Sequence, residues 1–230
     1  MIGAMTTRRG LFVAPFDALA DPRVVGDLAA TAEAAGWDGF FVWDHLQYGE
    51  RVTAIADVWT CCAAVAMRTE KLLFGPMVTP LARRRPQVLA RQAASLAVLS
   101  GGRFVLGLGL GDDWVGEFSA FGDEPDPKLR GRMLDEGLEV LTALLSGGPV
   151  DHDGAHYAVR EVRFRVGQAG FRTRSIVVVT TILDPAQASI IVAGDAKSFA
   201  AQLKAKRPDL EVIPVSELDL DSPTLRKPGK

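Results

Sequence analysis

Between residues 11 and 145 short apolar runs alternate with longer runs whose apolar residues recur every three to four positions, and no other feature narrows the fold as much. A short apolar run of β-rich composition reads as a buried strand. A run with three-to-four periodicity reads as the helix that carries the chain back to the next parallel strand. The pattern predicts an α/β fold on a parallel sheet or barrel.

Four β/α units can be marked off. Residues 11–14 form the first strand; Asp21-Pro22 caps a helix with Val24, Val25, Leu28, Ala29 and Ala32 on one face, stopped by Gly36. Residues 39–43 form the second strand, and Asp57 opens a helix that turns Val58, Cys61, Cys62 and Val65 inward. Residues 71–78 are the third strand, followed by a helix from Pro86 with Leu89, Ala93, Leu96 and Leu99 before Gly101-Gly102. Residues 103–110 are the fourth, and Leu134, Leu138, Leu141 and Leu145 mark a helix closed by Gly147-Gly148-Pro149. These units take up about 146 of 230 residues, whereas a full eightfold barrel needs roughly 250. The expectation is therefore a partial TIM barrel of four β/α units.

Beyond residue 164 the style of the sequence changes. Residues 150–164 read as a hairpin or loop, 166–174 as a Gly/Arg-rich join, and 175–183 and 188–193 as β-rich runs around Asp184-Pro185. A short helix over 198–206, a strand over 210–215 and a charged tail over 218–230 follow. Two parts are expected: a half barrel over residues 1–165 and a small, unrelated α/β segment over 166–230. Half a barrel leaves its first and fourth strands with open edges, which the tail or a second copy of the chain would cover.

Charge excludes one class of partner. The 26 basic and 28 acidic residues leave a net charge of −2, without the cationic field that nonspecific nucleic-acid binding needs. Cys61 and Cys62, the only cysteines, are adjacent and suit neither a staple between distant segments nor a metal cage. No apolar stretch has the length of a signal segment or a membrane span. A cytoplasmic protein acting on a small molecule, away from membranes and nucleic acid, is expected.

In a parallel α/β layout chemistry gathers at the strand C-termini, so the rim residues are the candidates. The sharpest pair is Asp44-His45, where a neighbouring carboxylate would bias a histidine that titrates near neutrality; the plainer alternative is a capping Asp44 beside a satisfied loop histidine. Gly107, Gly109 and Gly111 are a poor dinucleotide loop, because Asp112-Asp113 would repel a pyrophosphate. They would admit a flat ring, or only allow close packing of the fourth strand. Arg83-Arg84-Arg85 is placed to touch an anionic tail or to lie solvated. Trp43, Trp59 and Trp114 would wall an apolar pocket or lie in the core. His152 and His156 flank Gly154, which opposes a helix, and no metal is expected there.

Six stretches taken together resemble the luciferase-like flavin monooxygenase family, and in particular its branch dependent on the deazaflavin coenzyme F420. They are Gly-Trp-Asp-Gly-Phe-Phe-Val-Trp-Asp44-His45; Asp57-Val-Trp59; Phe74-Gly-Pro-Met-Val78-Thr79-Pro80-Leu with Arg85-Pro86; Leu99-Ser-Gly-Gly-Arg103-Phe-Val-Leu-Gly-Leu-Gly109; Phe118-Ser-Ala-Phe-Gly122; and Leu134-Asp-Glu-Gly-Leu-Glu-Val-Leu141. They run in order over about residues 10–165. The resemblance implies a TIM barrel with F420 or FMN across the strand C-termini, where the ring carries out hydride transfer or oxygen activation. It places Asp44 and His45 at the ring or substrate, His45 as hydrogen-bonding group or proton donor. Val78 and Thr79 would form a bulge behind the ring, and Gly109 and Gly111 a close-approach strand end. Residues 181–227, with Ile-Ile-Val-Ala-Gly-Asp195 and Leu-Glu-Val-Ile-Pro-Val-Ser-Glu-Leu-Asp219, resemble the C-terminal end of the M16-type peptidase-like family, without its metal motif.

The leading expectation is a flavin- or F420-dependent oxidoreductase or monooxygenase, with cofactor binding weakened by the missing later strands. The alternative is a noncatalytic, truncated or chimeric α/β module that pairs through its open sheet edge. A peptidase-associated domain would rest on the tail alone.

Overall fold

The structure, a computed structural model, describes residues 10–165, 176–179 and 190–191. In chain order the elements are β1 (Gly10–Val13), α1 (Pro22–Ala34), β2 (Gly39–Val42), α2 (Val58–Arg68), β3 (Leu73–Pro76), β4 (Thr79–Pro80), α3 (Pro86–Leu99), β5 (Leu106–Gly109), α4 (Pro127–Leu145), β6 (Pro149–Asp153), β7 (Ala158–Arg163), β8 (Ile176–Val179) and β9 (Ile190–Ile191). The helices begin where their caps require. The Asp21 carboxylate accepts the Arg23 N–H at 2.9 Å, Asp57 that of Thr60 at 2.8 Å, and Asp126 that of Lys128 at 2.9 Å. Proline stands in the first turn of α1, α3 and α4, where its missing N–H costs nothing.

Strands pair in chain order and in parallel: β1 with β2, β2 with β3, β4 with β5 and β5 with β8. The break at Met77-Val78, a cis peptide, splits the predicted third strand into β3 and β4. The wall stays continuous there, because Phe74 bridges Phe104 and the Val105 N–H donates to the Phe74 carbonyl at 2.8 Å. Sequential parallel order with successive helices packed on one another makes this a segment of barrel wall; among the described residues no barrel closes.

The two faces of the wall differ. Phe40, Val42, Phe74, Phe104, Leu106 and Leu108 lie buried among Val25, Ala29, Val65, Leu89, Ala93, Leu134 and Leu141 of the four helices. Alternation along β1 sends Phe12 to the opposite face, where it is 45% exposed. Gly75 and Gly107 sit where a Cβ would strike the neighbouring backbone, at Val105 O and Pro76 O respectively. These glycines allow the strands to approach, the packing role weighed for the strand glycines. At the strands' N-terminal ends Glu33 accepts the Leu72 N–H at 2.7 Å, and Arg103 donates to carbonyls of Ala66, Thr69, Leu72 and Ser100.

Of the two edges expected to stay open unless the tail or another chain covers them, the fourth strand is covered from the tail: residues 176–179 lie in register on β5, and β9 pairs antiparallel with them. An apolar run announces a strand but not its partner. Only β1 has a single neighbour at the start of the wall among the described residues. The hairpin expected over 150–164 is present as β6 and β7. The expected helix over 198–206, the strand over 210–215 and nearly all of the tail resemblance over 181–227 lie outside the described residues.

Candidate functional site

The C-terminal ends of β1, β2, β4 and β5 meet on one rim. From β2 the chain runs through Trp43, Asp44 and His45; a 3-10 turn over Leu81–Arg83 follows β4; and the loop after β5 returns through Trp114 and Glu117. That loop is folded by its own acids. Asp113 accepts the Phe118 and Ser119 N–H groups at 2.7 and 3.1 Å, and the bond from Phe118 leads the effects that lower its pKa. The acids read in the sequence as repelling a pyrophosphate include this one, which shapes the loop.

His45 and Asp44 are both at the rim, but they do not act on each other's side chains. His45 Nδ1 lies 2.8 Å from Glu117 Oε2, 72 residues away. Glu117 Oε1 accepts the Leu46 N–H at 2.7 Å and Arg83 Nη1 at 2.7 Å. Arg83 Nη2 donates to the Asp44 carbonyl at 2.8 Å, and the Asp44 carboxylate takes Arg84 at 2.8 and 3.0 Å. The side chains of Arg83, Asp44 and Glu117 are only 3–4% exposed. Burial pushes the Glu117 carboxyl up, but the hydrogen bonds from His45 and Leu46 and the charges of His45 and Arg83 outweigh it and leave the pKa below the ordinary 4.5.

This corrects two expectations. The carboxylate that holds His45 is Glu117, not the adjacent Asp44. Of the arginine run, Arg83 and Arg84 do not lie in a solvated loop: they pair with two buried acids, and Arg85 is exposed. Arg83 and Arg130 also lie over Phe118, at 5.6 and 4.3 Å from its ring, which anchors the Glu117 loop on α4.

Aromatic rings surround the histidine. Phe16, Trp43 and Tyr48 lie 5.9, 5.5 and 5.1 Å from the His45 ring, and Trp114 lies 5.2 Å from Tyr48. Trp43 and Trp114 thus belong to the rim, Trp114 at 51% exposure, while Trp59 is core against Phe104. Among the described residues three buried polar atoms at this rim lack a hydrogen-bond partner: Trp43 Nε1, Thr79 Oγ1 and Arg84 Nε. Thr79 pairs with Leu108 and is fully buried, Val78 before it is partly buried, and Gly109 lies opposite Pro80. Gly111, at φ +73°, allows Phe118 and Pro80 to close in; an added Cβ would lie 2.7 Å from the Phe118 ring. The histidine pair of the hairpin serves elsewhere: Glu136 on α4 takes His152 Nε2 at 3.2 Å and the backbone N–H groups of His156 and Tyr157.

A family profile described as luciferase-like monooxygenase matches residues 4–203. The chain belongs to that family. Among relatives of this luciferase-like chain, the F420-dependent glucose-6-phosphate dehydrogenase of Nocardia farcinica is 36% identical over 141 residues, covering 59% of this chain and 41% of the relative. That of Mycolicibacterium fortuitum is 36% identical over 145 residues, covering 60% and 42%. The chain thus spans about two fifths of the length of the curated relatives it matches. Among solved structures, an F420-dependent secondary alcohol dehydrogenase in complex with an F420-acetone adduct superposes with a TM-score of 0.63 at 25% identity, over 70% of this chain and 49% of that one. The FMN-bound oxygenating constituent of 3,6-diketocamphane monooxygenase from Pseudomonas putida superposes at 0.64 and 21% identity, over 80% and 54%, a likeness of fold. Among the described residues no helix is long and apolar enough to cross a membrane.

Proposed function

We propose that this rim is the ring-facing wall of an F420- or FMN-dependent oxidoreductase acting on a small molecule, with His45 as the group that moves a proton at the reacting centre. The observation that carries the reading is the unengaged Nε2 of a histidine clamped by Glu117 and faced by Phe16, Trp43 and Tyr48. The donor set fits a flat heteroaromatic ring: aromatic faces, and the orphaned Trp43 Nε1 and Thr79 Oγ1 beside them. Val78, Thr79, Gly109 and Gly111 would line its back, and Asp44 would act from behind by fixing Arg84. Such a ring, when bound, supplies hydride transfer or oxygen activation. The relatives at 32–36% identity favour F420. Residues 1–165 carry this site, and residues 166–230 add β8 to the wall.

Arg83 and Arg84 are held by acids, so the described rim offers a phosphate tail little grip. Binding should be weak, with Kd above about 10 μM, or less than ~7 kcal/mol. The test is titration of the chain with F420 and with FMN, followed by quenching of Trp43 and Trp114 fluorescence. Saturable quenching that His45→Ala leaves in place while turnover is lost supports the reading; no quenching by either compound overturns it. The single-neighboured β1, with Phe12 exposed, favours a second reading, a module that pairs through this edge without catalysis. An obligate dimer that binds neither compound would establish it.

A further inference from the structure

We propose that Glu117 is a positioning residue that fixes the tautomer of His45, so that Nδ1 carries the proton and Nε2 presents its lone pair to the aromatic rim. The inference deepens the role given to His45 above and rests on that reading for its functional meaning, not for its test.

Two oxygens of one carboxylate do different work. Oε1 is already taken by two donors, the Leu46 N–H and Arg83 Nη1, both at 2.7 Å. Oε2 faces Nδ1 at 2.8 Å. An ionised carboxylate only accepts, so a neutral imidazole meeting it at that distance must put its proton on Nδ1. The other tautomer would set lone pair against lone pair in a site from which Glu117 is almost fully withdrawn from water. Arg83 keeps the carboxylate in place by tying it to the Asp44 carbonyl, one residue before the histidine. The ring cannot turn over to offer Nε2 to Glu117 without losing its packing against Phe16, Trp43 and Tyr48. No described residue donates to or accepts from Nε2, the nitrogen left for substrate. The charged and titratable groups around the ring are Glu117 from the β5 loop, Arg83 behind it from the 3-10 turn, and Asp44 and Tyr48 from the histidine's own loop.

Glu117→Gln gives an outcome that a merely structural role does not. Because two donors converge on Oε1, the amide oxygen of the glutamine must occupy that place, and its NH2 group then faces Nδ1. Nδ1 must become the acceptor, and the proton must move to Nε2. The experiment is two-bond 1H–15N correlation spectroscopy on the ligand-free chain at neutral pH, with His45→Gln identifying the His45 signals among three histidines. Wild type is expected to show a protonated Nδ1 and an unprotonated, downfield Nε2. Glu117→Gln is expected to exchange the two shifts. A wild-type Nε2–H tautomer, or an unchanged pattern in Glu117→Gln, overturns the proposal. The wild-type spectrum decides even if the variant fails to fold. Since no cofactor is present, failed cofactor binding in the titration above leaves this result standing, and the reverse also holds.

Discussion

Arg83→Met tests the rim network most directly. The wild-type guanidinium is 3% exposed and bonds Glu117 Oε1 at 2.7 Å and the Asp44 carbonyl at 2.8 Å, with the Asp44 carboxylate at 3.5 Å. Methionine replaces most of the stem, so the cavity contribution is small and the change is chiefly electrostatic. Removing one partner of a buried pair costs about 3–5 kcal/mol, because the other charge stays buried. Here the cost falls at the lower end: Glu117 keeps His45 and the Leu46 N–H, and Asp44 keeps Arg84. About 3 kcal/mol is expected, or roughly 6–12 °C in Tm at ~2–4 °C per kcal/mol for a chain of this size. Arg23→Met is the control. That side chain is 88% exposed beside Asp21, where solvent screens the pair, and its Tm should stay close to wild type. Thermal unfolding of both variants at neutral pH decides the matter. Equal shifts of under about 1 kcal/mol would refute the claim that the rim depends on Arg83. A pH series adds a second check. The Glu117 pKa is depressed in the fold, so its contribution is complete above the unfolded value near 4.5 and is lost as pH falls through the lower folded value. Wild type should lose this stability below pH 4.5, and Arg83→Met should lose less there, since Arg83 is one source of the depression.

Two further substitutions separate packing from binding. Gly107→Ala drives a Cβ into the Pro76 carbonyl and toward Met77; it should destabilise by about 1–3 kcal/mol or more by overpacking, read as a drop in the urea midpoint. If that glycine instead made room for a ring, stability would hold and only cofactor quenching would change. Glu136→Gln should loosen the β6–β7 hairpin from α4, because the carboxylate accepts the Tyr157 N–H at 2.8 Å and that of His156 at 3.0 Å. About 1–2 kcal/mol of local opening is expected, seen as faster amide exchange at both residues; unchanged protection would refute it.

The fold was legible where one residue decides one event. Asp21-Pro22 and Asp57 start helices because a side-chain oxygen and a preset φ act locally, without knowledge of the rest of the chain. Asp126-Pro127 carries the same signal and starts α4, yet only the part of α4 from Leu134 onward was readable. The buried face of its opening turns is Arg130 and Gly131, not apolar residues, so periodicity is silent there. The split of the third strand at Met77-Val78 leaves no mark in the apolar pattern, although the family resemblance put a bulge at Val78 and Thr79. Nor does the pairing of β8 with β5, since any β-rich segment suits several neighbours equally well.

The site was legible only as a place. Strand ends predict a rim, and His45 is on it, but the residue that orients His45 stands 72 positions away, where spacing has no reach. One signal was available: Glu117 is a lone acid between Val115 and Phe118, and a run of three arginines stands just before Pro86. A buried acid needs a buried base, and a run of arginines next to a strand end is where to look for it. The same pairing explains the character of the rim. Asp44 and Glu117 cancel Arg83 and Arg84, so the buried network is formally neutral and presents ring faces and one imidazole nitrogen. A surface of that kind discriminates by shape and by a single proton, and it suits a flat neutral heterocycle far better than a phosphate.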